Sequence, residues 1–348
     1  DANYYYEEGV VLDATQVTPM SQGYRGGLGV YTPGAVTVSA AEITATPAHA
    51  FASNSYIYFT TYGAAATGKI YRSTSVKSGG TMPTSFTDFT PTDIAKWTGD
   101  KLATITRYGN MVVFGSLDDK LQYYDETSAA TEADVLVITT APTGSTAGAT
   151  ADIKARFVAT YKEHLVAAYV KMAANYPASN TIFASGSIYE SLVWVSMTDN
   201  IRRFASPVAH PEVRGSVPLQ LLDDGGPITG IIGGEECYIF KELAVYRLVG
   251  PPFDLVRISK DIGTISPKSI VEVGGVVFFM SNRGPAMIDG GQVRPVAPEM
   301  FANALRSAEH TALVTNRWAY STHYMLPDLL QSSDEMKYIR GAYSDDTG

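Results

Sequence analysis

The sequence predicts an all-β protein, a degenerate β-propeller of short antiparallel blades. The stretch 228–298 contains one pattern twice: short runs of β-branched and aromatic residues separated by turns that contain Gly. Such runs are typical of antiparallel strands in a meander. The middle runs of the two copies, around Tyr238 and Val277, are 39 residues apart, and a repeat of about 40 to 50 residues indicates a propeller blade. Both middle runs are apolar on both faces, as expected of a strand packed between two sheets.

Four further stretches repeat all or part of this order of outer run, turn, apolar run and Tyr- or Trp-bearing run. The six apolar runs lie around Ile57, Val112, Leu165, Tyr238, Val277 and Ala319. The offsets between them are irregular, and the Gly-His and Trp-Asp signature of WD40 blades is absent from the sequence. We therefore predict six blade-like units joined by loops of variable length. A β-sandwich of several sheets is the alternative arrangement.

Three segments depart from the blade pattern. Residues 1–46 are rich in Gly and aromatic residues, and we predict a separate N-terminal arm or platform segment. A strand that closes the propeller is the alternative for this segment. Residues 47–348 are the predicted propeller-like domain, into which the low-complexity stretch 139–152 is inserted as a flexible loop. Residues 298–310 have the main helical pattern of the chain, with apolar residues such as Met300 and Leu305 on one face.

The composition restricts the classes of function. The chain of 348 residues has a formal net charge of −9, which argues against a nucleic-acid-binding face because such faces neutralise phosphates with Lys and Arg. Cys237 is the only cysteine, so an intrachain disulfide is excluded, and its place in an apolar run predicts a buried side chain. Since no apolar run approaches the roughly 18 residues of a membrane span, we expect no membrane-spanning segment.

The sequence lacks the motifs of common catalytic and cofactor sites. The Gly-rich stretch 23–29 has no Lys-Ser or Lys-Thr of a phosphate-binding loop, and the stretch 144–148 has its Ser at the wrong position for a nucleophile elbow. The five histidines are scattered without metal-ligand spacing. They are His49, His164, His210, His310 and His323. We therefore predict that the protein is not an enzyme and has no catalytic, cofactor-binding or metal-binding residue and no cofactor.

Two pairs of adjacent carboxylates are the strongest candidates for chemistry. Propeller glycosidases place Asp and Glu from different blades around a central cavity, and the pairs Asp118-Asp119 and Asp223-Asp224 would suit that role. The turn 223–226 would also suit a calcium ion, which prefers clustered oxygen ligands. Both pairs lie in turns, where Asp commonly bonds the local backbone, so we interpret them as structural. A glycan-binding or glycan-cleaving propeller module is the alternative function.

One stretch of the chain resembles a known family. It comprises the Ile-Thr-Gly-Ile-Ile-Gly-Gly run at 228–234, Tyr-Ile-Phe-Lys at 238–241, Gly-Thr-Ile-Ser-Pro-Lys-Ser-Ile at 263–270 and Met-Ser-Asn-Arg-Gly at 280–284. This succession resembles the tail hub or nozzle proteins of short-tailed bacteriophages over roughly 228–300. None of the residues that carry the resemblance is catalytic, so it concerns fold and assembly rather than a reaction.

The resemblance implies a structural virion protein, located in the phage tail after assembly in the host cytoplasm. As a member of such a family, the chain would be one subunit of a homo-oligomeric ring, sixfold by this resemblance, next to adaptor and tail fibre or spike proteins. The ring would form part of the channel for DNA ejection, and DNA would pass it without sequence-specific binding. Together with the net charge of −9, this predicts a DNA-facing wall that is neutral to acidic. In the same setting, the alternative function is a glycan-binding or glycan-cleaving module of the tail.

Overall fold

The computed structural model describes three short N-terminal strands and most of the chain between residues 46 and 296. In full, the described residues are 17–20, 23–26, 37–38, 46–53, 55–63, 68–74, 85–91, 97–99, 102–128, 133–135, 153–172, 175, 183–204, 216–223, 225–281 and 284–296. Four of the sequence predictions fall wholly or mostly outside these residues. They are the helix at 298–310, the inserted loop at 139–152, the sixth unit around Ala319 and most of the arm at 1–46. Among the described residues, no helix is long and apolar enough to cross a membrane.

Five consecutive sheets, each with four antiparallel strands that follow one another in sequence, form most of the described part of the protein. Sheet 1 contains β4 (Thr46–Ala52), β5 (Ile57–Tyr62), β6 (Ile70–Ser73) and β7 (Ser85–Asp88). Sheet 2 contains β8 (Thr104–Tyr108), β9 (Met111–Gly115), β10 (Gln122–Asp125) and β11 (Asp134–Val135). Sheet 3 contains β12 (Ile153–Tyr161), β13 (His164–Met172), β14 (Ile188–Val195) and β15 (Val217–Gln220).

The last two sheets follow without a long insertion. Sheet 4 contains β16 (Ile228–Ile232), β17 (Cys237–Lys241), β18 (Val245–Val249) and β19 (Asp254–Ser259). Sheet 5 contains β20 (Val271–Val273), β21 (Val276–Ser281), β22 (Gly284–Asp289) and β23 (Gln292–Pro295). A short 3-10 helix, Pro267–Ser269, precedes β20. Two hairpins of sheet 5 turn at Gly-Gly pairs with positive φ, 274–275 and 290–291, because two-residue hairpin loops need that backbone conformation.

The N-terminal strands add to this arrangement. β1 (Val17–Met20) and β2 (Gly23–Gly26) form a separate antiparallel hairpin. β3 (Thr37–Val38) pairs in parallel with the outer strand β7, so sheet 1 has five strands in total. Part of the predicted arm therefore extends the edge of the first sheet.

The structure confirms the predicted fold class. The described residues are almost entirely β-strands and turns, and apart from the pair β3–β7, neighbouring strands in the five sheets are consecutive in sequence. The predicted apolar runs around Ile57, Val112, Leu165, Tyr238 and Val277 are the second strands of sheets 1 to 5. The blade-like unit that the sequence repeats is thus the four-stranded sheet.

The hydrophobic core consists of layers between consecutive sheets. Between sheets 1 and 2, the ring centroid of Tyr58 lies 5.8 Å from that of Phe114. Between sheets 4 and 5, the ring centroids of Phe240 and Phe279 are 5.0 Å apart. The layer between sheets 2 and 3 includes Val113, Leu121, Leu165 and Trp194, and that between sheets 3 and 4 includes Phe157, Val166, Ile239 and Leu248. Each sheet packs on the next in chain order, as the blades of a propeller do.

The burial of the second strands differs between sheets 4 and 5. Every residue of β17 is buried, because Cys237 and Ile239 face sheet 3 while Tyr238 and Phe240 face sheet 5. In β21 only alternate residues are buried, and Phe278 is 37% exposed. The prediction that both of these strands are covered on both faces holds for β17 alone among the described residues.

The first strands of sheets 2 and 3 are held together by threonine hydroxyls. Thr104 of β8 donates to the carbonyl of Arg156 at 3.0 Å and accepts from the amide of Val158 at 2.9 Å. Thr160 of β12 donates in return to the carbonyl of Arg107 at 2.6 Å. These bonds satisfy backbone groups on strand edges that have no further strand to pair with. β8 and β12 are thereby joined directly, and we call the edge of each sheet formed by its first strand the inner edge.

A glycine permits the close approach of the backbones of sheets 3 and 4. A Cβ atom at Gly233, just after β16, would clash with the carbonyl oxygen of Thr160. The backbone of Gly233 is not in the left-handed region, so the requirement for glycine here is one of space rather than of conformation.

We expect Gly233→Ala to lower the free energy of unfolding by about 3 kcal/mol, because the added methyl group forces two backbones apart. Chemical denaturation of both proteins measures this difference. Gly290→Asn is the matched control, since Gly290 has open space around its Cβ position and a φ of +55° that Asn tolerates. Equal stability of Gly233→Ala and the wild type would show that the inner strands do not approach as described.

Candidate functional site

The first carboxylate pair lies in the turn between β9 and β10. The Asp119 side chain is buried and accepts hydrogen bonds from the amides of Thr98 and Gly99, at 2.9 and 2.8 Å, and from the hydroxyl of Ser116 at 3.0 Å. Thr98 and Gly99 belong to the connection that leads from sheet 1 into sheet 2. Asp118 is exposed. Asp119 therefore holds a connection in place, while the neighbouring carboxylate faces solvent.

The second candidate, Asp223, lies in the connection from sheet 3 to sheet 4. Its two carboxylate oxygens accept hydrogen bonds from the ammonium group of Lys241 and the hydroxyl of Tyr246. The guanidinium of Arg257 is 3.6 Å away. Lys241 is fully buried and also donates to the carbonyl of Leu221 at 3.1 Å. The other member of this pair, Asp224, lies outside the described residues.

The titration of Asp223 follows from these partners. Burial alone would raise the pKa of Asp223, but the hydrogen bonds from Lys241 and Tyr246 outweigh it and hold the pKa below its usual value. Burial, and next the bond to Asp223, raises the pKa of Tyr246 to about 12. At neutral pH, Asp223 is thus a charged partner for a buried ammonium group, and a carboxylate that holds no proton is unsuited to act as a general acid.

The candidate carboxylates are not brought into one catalytic pair. The partners of Asp119 lie where sheet 1 joins sheet 2, and those of Asp223 lie where sheet 3 joins sheet 4. Both oxygens of Asp223 already have protein partners, Lys241 and Tyr246. Within the part of the chain that the structure describes, no group of three or more His, Cys, Asp or Glu side chains is placed to hold a metal.

The histidine and cysteine side chains of the core also make structural contacts. His164 is buried, with Nδ1 2.7 Å from the carbonyl oxygen of Ser196 and its ring edge-on to Phe253 at 4.7 Å between centroids. Burial lowers the pKa of His164. Cys237 is fully buried, and burial raises the pKa of its thiol, so the nucleophilic thiolate is disfavoured. His49 lies on β4, and the other three histidines lie outside the described residues.

A polar cluster that the sequence reasoning missed lies between sheets 1 and 2. The hydroxyl of Tyr58 donates to Glu126 Oε1 at 3.0 Å, and the hydroxyl of Ser53 donates to the same oxygen. The guanidinium carbon of Arg72 lies 4.1 Å from the ring centroid of Phe89 and 5.0 Å from that of Tyr124. Tyr58 and Arg72 are directly opposite in the pairing of β5 with β6, but their partners across the junction leave no short-range signal in the sequence.

This cluster is a cross-link between sheets rather than a reactive site. Burial, and next the charge of Glu126, raises the pKa of Tyr58 far above its usual value. Tyr58 therefore stays protonated, with a hydroxyl able to donate, at all ordinary pH values. Arg72 adds cation–π contacts, which are stronger when partly desolvated.

The comparisons with known proteins leave the family open. No protein-family model and no curated protein matches this chain. Among solved structures, it is similar to a protein of unknown function from Bacteroides thetaiotaomicron, with 12% identity and a TM-score of 0.40, covering 75% of this chain and 62% of that one. It is also similar to BamB from Moraxella catarrhalis, with 11% identity and a TM-score of 0.38, covering 71% and 57%.

A third similar structure is an extracellular domain from B. thetaiotaomicron, with 11% identity and a TM-score of 0.36, covering 72% of this chain and 27% of that one. The chain thus spans less than two thirds of each of these three proteins. Likenesses this distant carry no argument about function. The fold assignment accordingly rests on the five sheets themselves.

We expect Asp223→Asn to lower the free energy of unfolding by about 3 kcal/mol, because it leaves the buried ammonium of Lys241 without its counter-charge. Asp118→Asn is the control, since its exposed carboxylate can be neutralised at a cost within about 0.5 kcal/mol. Chemical denaturation at pH 7 distinguishes the two. Equal effects of the two substitutions would contradict the structural role of Asp223.

We also expect stability to fall as the pH is lowered from about 7 toward about 5, because unfolded His164 binds a proton near its usual pKa of about 6.5 and the folded residue resists it. Above that range, both states are neutral and the effect vanishes. Denaturation midpoints across this range, compared with those of His164→Asn, measure the effect. A slope that is identical in the two proteins would rule out His164 as its source. Loss of the Asp223 interaction belongs to a lower range, below about pH 4.

Proposed function

We propose that this chain is a structural subunit of the tail hub or nozzle of a short-tailed bacteriophage. The observation that carries the proposal is that the ionisable side chains considered above as catalytic candidates instead make contacts that join one sheet, or the connection before it, to the next. Asp119 holds the connection into sheet 2, Asp223 neutralises Lys241 where sheet 4 begins, and His164 of sheet 3 packs on Phe253 of sheet 4. Such use of polar groups supports a scaffold rather than a hydrolase.

The resemblance of 228–300 to tail hub proteins supports the specific assignment. This stretch contains sheets 4 and 5, so the resembling residues form complete blade-like units. We infer that several copies, six by the resemblance, form a ring between an adaptor and the tail fibre or spike proteins. The protein would act in the virion after assembly in the host cytoplasm.

The proposed mechanism is mechanical. A wall of a DNA channel must keep its shape while a stiff, highly charged polymer moves past it, and it must not hold the phosphates. Cross-links between sheets, such as Tyr58 with Glu126 and Lys241 with Asp223, resist the sliding of one sheet on another. The net charge of −9 favours a neutral to acidic wall, over which phosphates find few Lys and Arg partners.

We expect the chain to lie on the tail axis of assembled particles as a closed ring with six copies. Electron cryo-microscopy of the particles, with the chain fused to a small rigid tag, measures both its position and its copy number. The same purified chain should bind duplex DNA with little affinity and little salt dependence. A single copy placed away from the tail axis, or tight and steeply salt-dependent DNA binding, would contradict the proposal.

The glycan-cleaving alternative is tested on host-surface polysaccharide with the same chain. The structural proposal expects no cleavage. Cleavage that is lost in Asp118→Asn, whose exposed carboxylate makes little contribution to stability, would favour the glycosidase instead. Loss of activity in Asp223→Asn alone would not separate chemistry from unfolding, which is why Asp118 is the informative position.

A further inference from the structure

Two fully buried polar side chains lie in the layer between sheets 1 and 2 without a hydrogen-bond partner among the described residues. They are Thr60 of β5 and Gln122 of β10, and in Gln122 both the amide nitrogen and the amide oxygen are unpaired. The layer around them consists of apolar and aromatic side chains such as Trp97 and Phe114. Buried polar groups are nearly always hydrogen-bonded, because an unpaired one has lost its bonds to water without replacement. Both side chains therefore require a partner.

The alternation of side chains along the strands places both groups on the facing surfaces of the two sheets. Thr60 is two residues from Tyr58 along β5, and Gln122 is two residues from Tyr124 along β10. The two tyrosines belong to the layer between sheets 1 and 2, and their ring centroids are 6.4 Å apart. Since residues two apart in a strand share a face, Thr60 and Gln122 point into the same layer.

The contacts at the strand ends show that β5 and β10 run in opposite directions across this layer. The turn before β5 meets the end of β10, where Ser53 donates to Glu126. The end of β5 lies near the turn before β10, because Thr98 accepts from the amide of Gly63 at 3.0 Å and donates to Asp119 at 2.9 Å. The step of two residues from each tyrosine to each unpaired group therefore leads toward the same end of the sheets. The two groups lie at one level, on opposite sides of the layer.

We propose that one internal water molecule bridges Gln122 and Thr60 and joins sheet 1 to sheet 2. Water suits this position because it donates and accepts, and the unpaired atoms are a donor nitrogen, an acceptor oxygen and a hydroxyl that does either. A bare ion would leave either the nitrogen or the oxygen of the amide unpaired. Buried waters commonly bond otherwise unpaired polar groups and are part of a fold. The inference concerns this junction and does not depend on a role in a phage tail.

A crystal structure of the chain, at a resolution that shows ordered water, tests the proposal directly. We expect density for one water within about 3.2 Å of both the Gln122 amide and the Thr60 hydroxyl. A direct hydrogen bond between the two side chains would overturn the proposal. Density that contacts only one of them, or no density between them, would overturn it as well.

A double-mutant cycle tests the bridge in solution. Gln122→Met and Thr60→Val remove the polar atoms and largely keep the shapes of the side chains. Each single variant should already break the bridge, so the shift of the denaturation midpoint in the double variant should be smaller than the sum of the two single shifts. Gln220→Met with Thr60→Val is the matched control and should be additive, because Gln220 is exposed on β15 of sheet 3. Additive shifts for Gln122 and Thr60 would overturn the bridge.

Discussion

The close approach of the first strands of successive sheets is the constraint on which the rest of the structure depends. A meander sheet ends in a free edge on each side, and free edges carry unpaired amides and carbonyls. At the inner edges of sheets 2 and 3 these groups are bonded by threonine hydroxyls, with Thr104 and Thr160 acting in opposite directions. Gly233 then lets sheet 4 approach Thr160. At these two junctions, between sheets 2 and 3 and between sheets 3 and 4, the apolar faces behind the tied edges are also in contact and form layers of the core.

Several ionisable side chains also join parts of the chain that are distant in sequence. Asp119 fixes a connection, Asp223 neutralises the buried Lys241, and Glu126 accepts from Tyr58 across a junction. Each of these contacts spans parts of the chain that are distant in sequence, so each stabilises the relation between elements more than any one element. Of these carboxylates, Asp223 has a pKa held below its usual value by the bonds from Lys241 and Tyr246, and structural ion pairs perturb pKa values as active sites do. These contacts couple neighbouring sheets to one another.

The sequence predicts the strands of each sheet better than it predicts the contacts between sheets. The second strands around Val112 and Tyr238 were predictable because apolar runs between Gly-containing turns are a local signal. The different roles of Asp118 and Asp119 could not be predicted. The two are adjacent turn residues, and only the folded structure shows that Asp119 contacts the connection between sheets 1 and 2. The Tyr58–Glu126 bond was missed for a similar reason, because its partners are far apart in sequence. The exposure of Phe278 also departs from its apolar surroundings, as burial depends on what packs on the sheet.

Amide hydrogen exchange at Val158 tests the central claim most directly. This amide donates to the hydroxyl of Thr104 on the neighbouring sheet at 2.9 Å, so its protection reports the tie between the two inner strands. The account predicts strong protection of Val158 in the wild-type chain and much faster exchange in Thr104→Val, which keeps the side-chain shape and removes the acceptor. The other amides of β12 should change little. Equal exchange of Val158 in the two proteins would contradict the claim that threonine hydroxyls join the sheets.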